Sequence, residues 1–514
     1  METNTFLYNG TTEKLLFRRQ FVLAPCIVDG LHSWNHAKLS DSSFLVTHPD
    51  LEVYRAVKNK KSVTLIGYML DPYNNNASNS EIVKELLTKI ESCVDIFQHT
   101  TYYGGRWVLI VSDGYETILL NDAAGLREVY YTSCKINGQI WIASLPGLIA
   151  EILKLEIDKD AMEFVYSREA NSDFNPRSVT WWPGDTSMYK EIKIMLPNHY
   201  LNYGAGEVHR YWPSEPLGTI SLEEALKRTV FILKGLLESA NKRFDMSISL
   251  TAGWDSRIML ALCRDIIRDI YCFTRTYPDS YESAKDVTIP SFLLNKIGMK
   301  HNIIRYPEQI NAEFQNVYKR HSSIIGNAYC ADVQSMYEHL PKHKVCITGD
   351  VAEIVKCHYI MPNRRTNHVA GHDLASLIYV DAHPFVTKAF EKWLPSNNTY
   401  NFDLLDIFCW EQFVGRLQAR NQADQDIVHE SFTPFNCRKL LTTILSIDKK
   451  YRKHPEYIFF KMLIDVLWDE MLSVPINPRD KFTIKGALID YLVKIHIYSY
   501  IPESAKRFSK RIVS

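Results

Sequence analysis

The sequence predicts an α/β protein, sheet-rich at the front and helical at the back. Three observations point there. Residues 245–250 read as a buried strand, a turn of small residues follows, and residues 258–263 read as a helix. Short apolar runs at 270–275, 302–305 and 344–348 recur downstream as further strands of one parallel sheet. In the front half, residues 103–111 and 119–131 alternate apolar positions around a Gly-containing turn, which predicts a hairpin. From about residue 400 onward the pattern is mostly helical.

The chain has 514 residues, enough for two or three domains with large cores. A division at 213/214 is expected, with residues 214–220 as linker. Hydrophobic residues make up 46% and charged residues 23%, as in ordinary globular proteins, and the formal net charge is zero. That balance gives no electrostatic footprint for nucleic acid. The ten cysteines include no Cys-x-x-Cys pair, which fits a reducing compartment rather than a disulfide framework or zinc site. With no leader pattern and no apolar run of about 20 residues, the expected location is cytoplasmic.

Several local features have ordinary readings. Cys26 reads as a small buried hydrophobe. His32 and His36 would share a face if helical, without a third metal ligand nearby. Residues 449–454 read as a solvated basic helix end. The asparagine-rich stretch 73–80 reads as a loop. Residues 484–501 followed by Lys506, Arg507, Lys510 and Arg511 fit a basic amphipathic helix. Docking of that helix on the core is the expected arrangement, ahead of contact with a membrane surface.

The motif Thr251-Ala-Gly-Trp-Asp255-Ser256-Arg257 carries the most chemistry. A turn with little side-chain bulk lets backbone N–H groups reach an anion, and the helix N-terminus adds positive dipole. Ser256 can donate to a phosphate oxygen, and Asp255 can hold Mg²⁺ against it. Asp and Ser also cap helices, so a well-capped connection explains the loop equally well.

The loop resembles the Ser-Gly-Gly-x-Asp-Ser pyrophosphatase loop of the asparagine synthetase-like family. Thr251 stands for the Ser and Ala252 for the first Gly, while Gly253, Asp255 and Ser256 match. A second stretch, Thr348-Gly349-Asp350-Val-Ala-Glu353-Ile-Val-Lys356-Cys-His-Tyr359, is similar to that family's second motif. Val351 and Ala352 replace its two glycines, and Ile354 replaces an acidic residue. The Glu-Ile-x-Lys form and Arg257 together look like a divergent branch.

The resemblance implies a PP-loop, Rossmann-like parallel sheet with a helical extension over residues 214–514. It implies that Leu250, Thr251, Gly253, Asp255, Ser256, Phe273 and Gly349 contact ATP or pyrophosphate. Asp255 and Glu353 would hold Mg²⁺, and Asp350 would lie by the reacting centre. Asp286 and His301 match further family positions, and Pro290 should start or kink a helix. The family's assisting lysine is assigned to Lys481, with Lys485 and Lys461 behind it. The segment 408–438 resembles the family's acyl-substrate closure. There Glu411, Arg416, Asn436 and Arg438 are candidates for reading the substrate, with buried ion pairs or caps as the equal alternative.

Residues 1–213 resemble the family's class II glutamine amidotransferase domain, an αββα (Ntn-hydrolase-like) sandwich. That domain works through an N-terminal Cys thiolate, whereas this sequence begins Met1-Glu2-Thr3-Asn4. The expectation is therefore a degenerate domain without glutaminase activity. The resemblance implies an ATP- and Mg²⁺-dependent ligase that adenylates a small-molecule or glycan carboxylate and passes the acyl group to ammonia or an amine. A non-catalytic nucleotide- or partner-binding relative and a lactam- or macrocycle-forming synthetase are the alternatives.

Overall fold

The computed structural model describes residues 13–136, 138–169, 181–277, 284–322, 329–361, 369–378, 383–394 and 399–478. The front half contributes β1 (Phe21–Ala24), β2 (Asn35–Ser40), β3 (Ser43–Thr47), β4 (Val53–Lys58), β5 (Lys61–Leu70), β6 (Gly104–Ser112), β7 (Thr117–Asn121), β8 (Tyr130–Thr132), β9 (Ile142–Ala143), β10 (Ile192–Ile194), β11 (His199–Asn202) and β12 (Glu207–Arg210). They form two antiparallel sheets, ordered β10-β8-β9-β1-β3-β2 and β12-β11-β7-β6-β5-β4.

The sheets meet face to face. Phe21, Leu23 and Leu45 from the first share one core with Ile66, Val108 and Leu119 from the second. Period-2 alternation sends the other face of the second sheet outward. There Leu65, Leu109 and Leu120 pack with Ile82, Val83 and Leu86 of the helix Asn79–Lys89. Ser78 and Glu81 close a capping box at its N-terminus. The helix Pro146–Leu153 lies over β8 and β9 of the first sheet, completing the αββα layers.

The back half builds one parallel sheet from β13 (Met246–Ser249), β14 (Tyr271–Arg275), β15 (Asn302–Ile304), β16 (Val345–Ile347) and β17 (Ser431–Phe432). Its order is β15-β14-β13-β16-β17, and every pairing is parallel. The chain steps outward from β13 to β14 to β15, then returns to the other side of β13. Loops leaving the C-terminal ends of β13 and β16 therefore diverge, and a crevice opens between them.

A buried seam ties this sheet to the front half. Arg106 on β6 donates to Asp426 at 2.5 and 3.0 Å and to Glu430 at 2.9 Å. Arg127 donates to Glu430 at 2.6 Å. Four residues assigned to substrate reading also belong to this interior framework. Glu411 is fully buried and accepts from Arg210, Asn198 and Trp393. Arg416 donates to the carbonyls of Trp182 and Thr186. Asn436 bonds Gly105, Asp122 and Ala124, and Arg438 bonds Asn198 and Tyr211. Their polar groups, Arg416 Nη1 excepted, bond across the halves, as the buried-pair alternative describes.

Other expectations change. Cys26 is exposed, because the chain leaves β1 at Pro25 and turns into solvent. His36 lies on β2, with its ring against the Leu31 carbonyl, so the two histidines share no helix face. Of the expected second hairpin strand, residues 117–121 pair with β6, whereas residues 130–132 cross to the other sheet as β8. Residues 79 and 80 of the asparagine-rich stretch already belong to a helix. Pro290 sits inside the helix Lys285–Lys296. Within the basic run 449–454, Arg452 is buried and bonded to Asp406. No helix among the described residues is long and apolar enough to cross a membrane. Lys481, Lys485 and the tail from 484 onward lie outside the described residues.

Candidate functional site at the sheet crevice

The turn after β13 is short because the helix begins at once. Trp254–Leu262 is helical, with Gly253 at its N-cap, so Asp255 and Ser256 stand in its first turn. Ala252 is buried and does not take a positive φ. Its methyl group thus points inward, and replacing glycine there leaves the outer face of the turn open. Thr251 is exposed beside it.

The donors of this turn have internal acceptors. Thr251 N–H donates to Ser256 Oγ at 3.1 Å, Ala252 N–H to Asp286 at 2.9 Å, and Gly253 N–H to Thr251 Oγ1 at 3.2 Å. Leu250 N–H donates to the Phe273 carbonyl at 2.8 Å. The Phe273 side chain is fully buried, which leaves only its backbone to meet a nucleotide. His301 bridges Thr274 and Ser291, a structural position behind the crevice. Arg257 is buried and donates to the carbonyls of Met471 and Val474 at 2.6 and 2.9 Å. It anchors the last described turn, whose Asn477 N–H donates to the Ala252 carbonyl at 2.9 Å.

The loop after β16 comes directly against this turn. A Cβ on Gly349 would lie 2.6 Å from Asp255 Cβ, so only glycine permits the approach. Val351, where the family carries glycine, holds a left-handed φ of 75°. That conformation costs a β-branched residue about 1–3 kcal/mol. It is kept because Val351 is fully buried and its N–H donates to Gln418 Oε1 at 2.7 Å.

Asp255 and Glu353 are thereby brought together, and Lys356 joins them. Its Nζ donates to both Asp255 oxygens at 2.6 Å and to Glu353 at 3.4 Å. Gln418 donates to the other Glu353 oxygen at 2.9 Å. Gln422, one turn on, donates to Asp350 at 2.8 Å. Burial and the Glu353 charge push Asp255 up to about 7, against the pull of Lys356. Burial also raises Asp350. Glu353 is raised by burial too, but Lys356 and Gln418 outweigh it and leave it below the usual carboxylate range. Near neutral pH a proton therefore competes with any cation for Asp255.

The sequence alone assigns no role to Lys356, Gln418 or Gln422. The i,i+3 spacing of Glu353 and Lys356 and the i,i+4 spacing of the two glutamines are the signals that could have found them. Lys461 is exposed on the helix Ile458–Trp468 and makes no acidic contact in this cluster. A cavity of about 230 Å³ is lined by Arg275, Tyr277, Tyr329, Asp332, Asn421 and Asp424. A larger cleft of about 470 Å³, around Tyr73, Tyr102 and Lys439, includes no residue of either loop. Cys93, Asp113 and Glu116 also bring ligand atoms together. Burial pushes that thiol up to about 12 and it donates to the Val111 carbonyl, a poor start for a metal thiolate.

The chain matches no protein-family profile and no curated protein. Among solved structures it is similar to the glutamine-dependent NAD+ synthetase of Acinetobacter baumannii in complex with ADP. Identity there is 11%, over 50% of this chain and 55% of that one, with a TM-score of 0.20. The glutamine phosphoribosylpyrophosphate amidotransferase of B. subtilis, complexed with ADP and GMP, is 9% identical over 67% and 73%, with a TM-score of 0.23. An allosteric regulatory enzyme of purine biosynthesis is 10% identical over 78% and 91%, with a TM-score of 0.24. The match spans little more than half of the NAD+ synthetase chain.

Proposed function

We propose that the protein is an ATP- and Mg²⁺-dependent carbon–nitrogen ligase similar to the asparagine synthetase-like enzymes. It would adenylate a carboxylate, release pyrophosphate, and pass the acyl group to ammonia or an amine. One observation carries this reading. Two carboxylates, Asp255 and Glu353, converge from the loops that leave β13 and β16 at the strand-order reversal.

The donor set suits a hard divalent cation, since both groups offer carboxylate oxygens around a site now holding a single ammonium. Asp255 and Glu353 would hold Mg²⁺, which supplies charge neutralisation of the phosphates when bound. Thr251, Ser256 and the first turn of Trp254–Leu262 would bind and orient the phosphates. Asp350 accepts from Gln422 and interacts electrostatically with Arg275, which lines the cavity. That arrangement supports placing the acyl substrate there. The Asp350 carboxylate accepts from Gln422, and its backbone N–H donates to Thr348 Oγ1, which supports a positioning role more than deprotonation of an internal amine.

A nucleotide- or partner-binding role without turnover has one observation in its favour. The N–H groups of Thr251, Ala252 and Gly253 already have internal acceptors. Pyrophosphate release from ATP, screened over carboxylic acids with ammonia, amines or glutamine, separates the readings. Release with ammonia but not glutamine is expected. Nucleotide-dependent thermal stabilisation without release under any condition would establish the binding role, and neither signal would sink both.

A further inference from the structure

Two carboxylates from different loops repel each other unless a cation lies between them. Here the Lys356 ammonium does so, and its side chain is only 11% exposed. Lys356 leaves the same short helical turn, Ala352–Val355, that carries Glu353, so both acidic partners and the cation are set by two loops alone. The Asp255 oxygens that accept this ammonium at 2.6 Å are those a divalent ion would need at about 2.1 Å. With the ammonium seated on both oxygens, the two cations compete for the same carboxylate.

We infer that Lys356 is a resident counter-ion of the Asp255–Glu353 pair, which it surrenders to the metal as its ammonium moves to the phosphate oxygens. The inference rests on the proposed metal-binding role of those two carboxylates. Lysine suits the exchange: its ammonium is a point charge on a rotatable four-carbon stem, whereas arginine would grip a carboxylate with a planar fork. Glu353 keeps its bond from Gln418 when the ammonium leaves, and the helix Trp254–Leu262 keeps Asp255 in place. The move also turns one positive charge from the acidic pair toward the anionic ligand. Lys356 thus becomes a positioning residue before metal arrives and a phosphate contact after it.

The test compares wild type, Lys356→Met and Lys356→Arg as full-length chains. Three quantities are read: melting temperature at pH 8 in EDTA, calorimetric affinity for Mg²⁺ alone, and affinity for inorganic pyrophosphate with Mg²⁺ present. Lys356→Met should melt several degrees lower in EDTA and bind Mg²⁺ about tenfold more tightly, because its competitor is gone. It should bind pyrophosphate at least about tenfold more weakly, for the loss of one charge-assisted hydrogen bond. Lys356→Arg should keep the EDTA melting temperature yet bind Mg²⁺ more weakly than wild type. A purely structural lysine would lower stability without raising Mg²⁺ affinity. Unchanged Mg²⁺ affinity in Lys356→Met overturns the exchange alone. Absence of Mg²⁺ binding in all three proteins overturns the exchange and the metal assignment together. Should the Met variant fail to fold, the Arg variant decides: Mg²⁺ affinity equal to wild type refutes the exchange.

Discussion

The seam and the crevice are both clusters of buried charge, but they are balanced differently. At the seam two arginines meet two carboxylates. Arg106, Arg127 and Asp426 are at most 2% exposed, and Glu430 is 15% exposed. In the crevice one lysine faces two carboxylates, with Asp255 28% and Glu353 16% exposed and Asp350 close by. A buried network of planar guanidiniums around two carboxylates fixes a geometry. An acidic excess that solvent can reach leaves room for another cation, and this is the ground of the metal-binding role proposed for the pair. The contrast sets a structural cluster beside the proposed site, although both pair a cation with aspartate and glutamate.

The sharpest way to break it is to unbalance the seam. Arg106→Leu leaves Asp426 and Glu430 short of a partner and should cost about 3–5 kcal/mol in denaturant unfolding. An unchanged unfolding curve would mean the seam is not glue. The converse variant, Asp255→Asn, should reduce pyrophosphate release about 10²–10³-fold while costing less unfolding free energy than Arg106→Leu, because it removes one acid from an acidic excess. Gly349→Ala tests whether the two loops must touch: its added methyl should cost about 1–3 kcal/mol and lower pyrophosphate release in the same assay.

The pH dependence should have opposite signs in the two regions. Burial pushes Glu430 up, but Arg127, Arg106 and Arg19 overcome it and hold it down to about 2. Its stabilisation is complete above its unfolded value of 4.5 and is lost as pH falls toward 2. Burial lowers His429 to about 4, so acidification from 6.5 to 4 also destabilises. Asp255 runs the other way. Its folded value near 7 lies above 3.8, so stability falls as pH rises through that window. Melting temperatures from pH 4 to 8 should therefore show a weaker alkaline decline in Asp255→Asn than in wild type.

The strand–turn–helix after β13 was legible because an apolar run, a small-residue turn and a helical run are contiguous. Asp350 and Glu353 were legible through the second motif, and the structure brings both to the crevice. The role of Arg257 was not, because its partners lie more than 200 positions downstream at Met471 and Val474. Glu411 and Asn436 read alike as binders or glue in sequence, since the deciding partners, Arg210 and Asp122, come from the front half. Cys26 misled because Pro25 diverts an apolar run into solvent.

The bond from Asn477 to Ala252 joins positions 225 residues apart. During synthesis the turn after β13 therefore emerges long before the segment that clamps it. A nascent chain stalled short of Met471 would already carry Thr251, Asp255, Asp350, Glu353 and Lys356, yet would lack the carbonyls that Arg257 bonds in the complete fold. The turn that carries Thr251 and Asp255 is thus closed only by chain synthesised more than 200 residues later.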